Sequence, residues 1–193
     1  MKARVGIFLI LCSVFSASWV LAQNVFIDNV VLTKYQDNLY VYFKLEGPFS
    51  REMEEAIKSG IETTFTFYVV LTKHRGGILS DPEIVERTIK HTVKYNALLK
   101  EYSVTRNEEG GNALVTKDFE VVKRVMTQVK FYPLAPLTML EKGNSYSVEI
   151  RALLDKNDIP QSLRYIFFFS KAWDFSTPWV RFTYEPKHSQ EET

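Results

Sequence analysis

Cysteine is all but missing: Cys12 is the only one among 193 residues, and it falls in a segment that reads as a leader. A mature chain without thiols can enter an oxidising compartment without mispairing. It also lacks a cysteine nucleophile, a thiolate zinc site and an iron–sulfur cluster. Histidine is scarce, with three residues and no two at ligand spacing, so neither a metal nor a cofactor is expected. Glycine (8) and proline (7) are too few for a linker-like or collagenous chain. Charge of one sign is not in excess either: 24 Lys and Arg stand against 23 Asp and Glu. Losing Lys2 and Arg4 with the leader turns a net +1 into −1. Nucleic-acid binding rests on clustered basic side chains that neutralise phosphates, and this balance argues against it. The Gly-x-Ser-x-Gly, Gly-x-Gly-x-x-Gly and phosphate-loop patterns are also missing, which leaves serine-elbow and nucleotide chemistry without support.

What is present starts with Met1-Lys-Ala-Arg4, a basic opening, followed by the uncharged and largely apolar run Val5–Ala22. Val20-Leu21-Ala22 suits a signal peptidase, with cleavage between Ala22 and Gln23. The other reading is an uncleaved anchor, since 18 apolar residues just suffice to cross a bilayer. Either way the body of the protein, residues 23–184, is expected outside the cytoplasm: periplasmic, and soluble or tethered to the inner membrane. Residues 185–193 form a polar tail.

The strongest pattern in the body is alternation with period two. Leu39, Val41, Phe43 and Leu45 share one face, with Tyr40, Tyr42 and Lys44 on the other. Phe65, Phe67, Val69 and Leu71 repeat the scheme, as do Tyr146, Val148, Ile150, Ala152 and Leu154. Further strands are expected over Asn24–Lys34, Ile84–Tyr95, Glu101–Arg106 and Trp179–Tyr184. Two segments switch to helical spacing. Ser50 caps a helix over Arg51–Ser59 with Met53, Ala56 and Ile57 inward and Gly60 at its stop. A second helix is expected from Asp118 to Lys130, with Phe119, Val122, Val125, Met126 and Val129 on one face. A third, short helix can follow Pro160, although Phe167-Phe-Phe169 equally suits a buried strand. The expected fold is mostly β, antiparallel sheets in a sandwich with two or three short helices, for which α+β is the alternative label.

Candidate site residues come from two places. Arg151 and Asp155 lie four apart on one strand face, where an arginine beside acids can grip a ligand carboxylate or form a structural salt bridge. The C-terminal third is dense in rings, nine aromatics among the 20 residues from Tyr165 to Tyr184, including Trp173-Asp174 and Trp179. Exposed, these would form a stacking platform for sugars or a protein hot spot; buried, they are core. Trp173, Asp174, Trp179, Arg151 and Asp155 are therefore the binding candidates. His74 reads as part of a solvated loop and His91 as inward-facing. Lys117, Lys123, Arg124 and Lys130 give the second helix a basic side, open either to anionic lipid or simply to water. Asp155, Asp158 and Asp174 offer carboxylates for a hydrolase, but any chain with this many acids does so. No catalytic residue is singled out, and a non-enzymatic interaction module is expected ahead of a glycan- or lipid-binding domain or a hydrolase.

The runs Glu52-Met-Glu-Glu-Ala-Ile-Lys-Ser-Gly-Ile61, His91-Thr-Val-Lys-Tyr95, Lys100-Glu-Tyr-Ser-Val-Thr105 and Val115-Thr-Lys-Asp-Phe119, with Leu154-Asp155 and Trp173-Asp174, resemble the bacterial family called domain of unknown function 4390. The resemblance spans about Phe26 to Tyr184. It implies an exported bacterial protein with no activity, cofactor or catalytic residue to carry over. As a partner it implies an envelope or membrane protein, with a membrane-bound sensor kinase as the class.

Overall fold

The computed structural model describes residues 24–76, 81–155 and 175–186. The leader with Cys12, Ala22 and Gln23, the segment after Pro160, Trp173, Asp174 and most of the tail lie outside the described residues. Within them the alternating segments form antiparallel strands: β1 (Phe26–Tyr35), β2 (Asn38–Glu46), β3 (Thr63–Lys73), β4 (Glu83–Asn96), β5 (Glu101–Arg106), β6 (Ala113–Thr116), β7 (Gln128–Pro136), β8 (Tyr146–Asp155) and β9 (Val180–Tyr184). They assemble into a small sheet, β1-β2-β7, and a large one, β6-β5-β4-β3-β8-β9. Among the described residues the fold is mostly β with two α-helices, in line with the expected β-rich fold; the third expected helix, after Pro160, lies outside them.

The inward rows meet between the sheets. Phe43 of β2 and Phe67 of β3 touch edge to face, with centroids 5.5 Å apart. Leu39, Val41, Leu45, Phe65, Leu71, Val148 and Ile150 are buried around them in one continuous core. Each such side chain contributes about 1.5–3 kcal/mol on burial, so a single misregistered strand would forfeit most of the core. The small sheet is narrower than the large one, and two helices fill the remaining space. In α1 (Arg51–Lys58) the Ser50 hydroxyl accepts from the Met53 N–H at 3.2 Å, and Met53, Ala56 and Ile57 are buried. Glu52 and Glu54 in its first turn and Lys58 in its last match the helix dipole. Gly47 (φ +71°) lets the chain leave β2 tightly against β1; a Cβ there would sit 2.5 Å from the Asn24 carbonyl oxygen.

The second helix departs from its expected length. It is α2 (Phe119–Thr127), capped by Asp118 accepting from the Glu120 N–H, and the chain turns extended at Gln128 and runs straight into β7. Val129, expected on the helix, is instead a buried strand residue opposite Phe43. The spacing Val122, Met126, Val129 satisfies a helical stripe equally well. What decides is the open edge of β2, which supplies ladder hydrogen bonds and an apolar row that a longer helix would leave bare. Strand β6 has no counterpart in the patterning, since four residues are too few to show a period.

Candidate functional site

Each sheet turns one face to the core and one away, and the two outward faces differ. On the large sheet the outward side chains are mostly polar and bonded to one another. Thr64 and Thr92 share a hydroxyl–hydroxyl bond of 2.9 Å, and Arg181 Nη2 lies 2.7 Å from Glu149 Oε1. Arg151 and Asp155 share this face, as their spacing predicts, but the structure uses them separately. Arg151 donates from Nε and Nη2 to the Ser176 hydroxyl (3.1 and 2.7 Å), and Asp155 lies 3.8 Å from Lys90 Nζ. Trp179, immediately before β9, is 45% exposed. It lines a cavity of about 390 Å³ with Thr72, Asp81, Glu83, Glu149 and Arg181.

Beside that cavity sits a Ser–His–Asp constellation that the sequence does not announce. His74 is half-buried rather than solvated: Nδ1 lies 2.7 Å from Asp81 Oδ2 and Nε2 lies 2.6 Å from the Ser147 hydroxyl. The Arg75 N–H donates to the other Asp81 oxygen, and this bond, with that from His74, holds the Asp81 carboxyl below its usual range. The connectivity matches a hydrolytic triad, but the placement does not. Ser147 lies inside β8, paired with Thr72 on one side and Thr183 on the other, and has no exposed surface. Near the start of β8 its backbone is held in the ladder on both sides, and its buried hydroxyl is not a reachable nucleophile. What the arrangement does is fasten the end of β3 to β8.

His91 faces inward, as its alternation predicts, and is fully buried. Its Nδ1 lies 2.9 Å from the Met126 carbonyl and its Nε2 2.7 Å from Glu108 Oε1. A carbonyl oxygen only accepts, so Nδ1 carries a proton. Nε2 can donate to the carboxylate only when the ring carries both protons. Burial raises the Glu108 carboxyl, but the hydrogen bond and charge of His91 outweigh it and hold it below its ordinary value. The pair ties the end of α2 to the turn Asn107–Glu109. Of the basic residues expected on the second helix, Lys130 lies on β7 instead, while Lys123 Nζ lies 2.7 Å from Glu54 and 3.0 Å from Glu120, bonds that raise its pKa. Among the described residues no group of three His, Cys, Asp or Glu could hold a metal ion, and no helix is long and apolar enough to cross a membrane.

The outward face of the small sheet is aromatic and open. Tyr35 on β1 meets Tyr40 on β2 edge to face at 6.0 Å, and Tyr40 meets Phe131 on β7 at 6.2 Å. Tyr35 is 57% and Phe131 66% exposed, and Val31, opposite Tyr42, and Phe26 continue the apolar surface along β1. Phe131 occupies a bulge: one residue of β2 between Val41 and Phe43 faces two of β7 between Val129 and Tyr132. Its φ is +45°, a left-handed conformation that costs an L-residue about 1–2 kcal/mol. The ring held there touches Tyr40 and turns most of its surface to solvent. Tyr40 and Tyr42 were legible as outward residues of β2; Tyr35 and Phe131 were not, because only strand pairing brings them alongside.

A family model described as Domain of unknown function (DUF4390) matches residues 22–183, and the chain belongs to that family. No curated protein and no solved structure matches the chain.

Proposed function

We propose that the protein is a non-enzymatic interaction module of the bacterial envelope, docking another envelope protein on the aromatic outer face of the small sheet. The observation that carries this reading is the open row Tyr35–Tyr40–Phe131, with Phe131 kept exposed at a backbone cost. Exposed tyrosine and phenylalanine on a rigid sheet are hot-spot chemistry, because large apolar area is buried with little loss of side-chain entropy. The charges around the row are mixed rather than a basic cluster, which favours a protein over an anionic lipid surface: Lys44 is paired with Glu46 at 2.5 Å and lies opposite Asp28, and Lys130 and Lys34 are the lysines adjoining the rings. The leader pattern and the thiol-free body support an extracytoplasmic location, free or tethered by residues 1–22. A sensor kinase of the same membrane is the partner class that the family suggests.

A photocrosslinking side chain at position 131, activated in intact cells, tests the reading. The expected result is one recurrent envelope protein, lost when Tyr40→Ala is added while circular dichroism stays unchanged. Crosslinking to nothing, or to an unselective mixture, counts against it.

A second reading rests on Trp179. An exposed indole over a cavity lined with Asp81, Glu83, Glu149 and Arg181 suits a sugar, whose apolar face stacks and whose hydroxyls bond to charged groups. Titrating tryptophan fluorescence with peptidoglycan fragments separates the two. Saturable quenching that Trp179→Phe removes favours the glycan, and flat titrations dispose of it.

A further inference from the structure

Among the described residues the two sheets end in four edge strands, and three of these carry devices that discourage another strand. The β1 edge is broken by a register shift between Asp28 and Val31, with Asn29 at φ +52°. The β7 edge holds Pro133 and Pro136, which have no N–H to donate, together with the Phe131 bulge. The β9 edge carries the charge of Arg181, and Lys34 of β1 lies over the Tyr184 ring at 5.9 Å. The β6 edge has none of these. Ala113-Leu-Val-Thr116 contains no charge, no proline and no bulge, and it pairs with β5 in unbroken register on one side only. Leu114 is 43% and Val115 57% exposed. At the same end of the sheet, the β4–β5 turn adds Leu98 and Leu99, the former 94% exposed. Natural sheets guard such edges because an open row of backbone donors and acceptors templates further pairing.

We infer that β6 is an interface between two copies of this chain, joined edge to edge about a two-fold axis. The geometry favours a second copy because the strand is self-complementary. A two-fold that continues an antiparallel sheet must stand perpendicular to it and preserve its faces, so it passes through a residue pair, Leu114 with Leu114 or Val115 with Val115. In the first register Ala113 meets Val115 and Gly111 meets Lys117; in the second Leu114 meets Thr116 and Ala113 meets Lys117. Neither places like charges opposite one another, the arrangement that would destabilise pairing. The two six-stranded sheets become one of twelve, and Leu114 and Val115 lose water on opposite faces of the seam. A four-residue strand buries much less than the roughly 800 Å² per partner of a standard interface, so the dimer dissociates in the micromolar range. The inference is independent of the aromatic face, which lies on the other sheet.

Sedimentation velocity on the purified chain, over micromolar to several hundred micromolar, should show a reversible monomer–dimer equilibrium. Val115→Lys, which places a guarding charge on the edge, should weaken it about tenfold or more. In a Cys12→Ser background, Leu114→Cys and Val115→Cys provide a check that does not depend on the lysine variant folding. Paired cross-strand Cα atoms lie within disulfide reach, so the position on the axis should oxidise to a covalent dimer and the other should not. A chain monomeric throughout the series, or a dimer indifferent to Val115→Lys that neither cysteine traps, overturns the inference.

Discussion

The outward faces of the two sheets are built by the same alternation and serve different ends. On the large sheet many outward polar groups find another: Thr64 with Thr92, Glu149 with Arg181, Arg151 with Ser176, Ser147 with His74 and His74 with Asp81. On the small sheet the outward rings Tyr35, Tyr40 and Phe131 touch one another, and Tyr35 and Phe131 leave more than half of their surface to water. A face whose groups are mutually satisfied contributes to folding. A face of unsatisfied apolar area contributes little to the isolated molecule and much to a complex. With the proposed docking face on the small sheet, stability and binding fall to different sheets, and substitutions should separate them.

The largest effect should come from the core that both faces share. Phe67→Ala removes the ring against Phe43 and His91 and is expected to cost about 3–5 kcal/mol, read by urea unfolding. Crosslinking through position 131 should fall with it, because the small sheet has no independent support. Next comes Glu108→Gln, which takes the charge from a buried partner of His91 and is expected to cost roughly 1.5–3 kcal/mol. Because the folded state lowers the Glu108 pKa, its contribution is full above the unfolded carboxylate value and lost as pH falls through the folded one. Acid unfolding below about pH 4.3 should therefore be steeper in the native chain than in Glu108→Gln. Ser147→Ala should cost about 1 kcal/mol by leaving His74 Nε2 to water, without affecting partner crosslinking. The smallest effect is the most discriminating. Phe131→Gly relieves a left-handed backbone and should leave stability unchanged or raise it by up to about 1 kcal/mol, while abolishing capture of the partner by a crosslinker placed at position 35 instead. If instead Phe131→Gly unfolds the protein, or Ser147→Ala abolishes capture, the division between the faces is wrong.

Much of this architecture is legible in the chain. The strand rows and the capped helix after Ser50 can be read at residue level, because each rests on neighbours two to four positions away. The end of α2 is not legible: Val129 fits a helical stripe and a strand equally, and the choice lies with the edge of β2, more than eighty residues earlier. The sites divide in the same way. Arg151 and Asp155 do share a face, yet their partners, Ser176 and Lys90, come from other strands or loops. Trp179 stands out by local aromatic density and is exposed. Phe131 is unremarkable in Lys130-Phe-Tyr-Pro133 and becomes conspicuous only as the occupant of a bulge beside Tyr40.

Local periodicity by itself determined which side chains share a face, where the first helix begins and ends, and that the fold is a sheet structure without thiol chemistry. Tertiary structure alone decided which strands are neighbours and in what register. That decision made an aromatic row from β1, β2 and β7, a half-buried Ser–His–Asp fastening between residues some seventy positions apart, and, among the described strands, an edge at β6 without charge, proline or bulge. The reason is physical. A side chain's facing is set by backbone geometry over two residues, whereas its neighbours are set by the summed burial and ladder hydrogen bonds of whole strands, and that sum exists only in the assembled sheets.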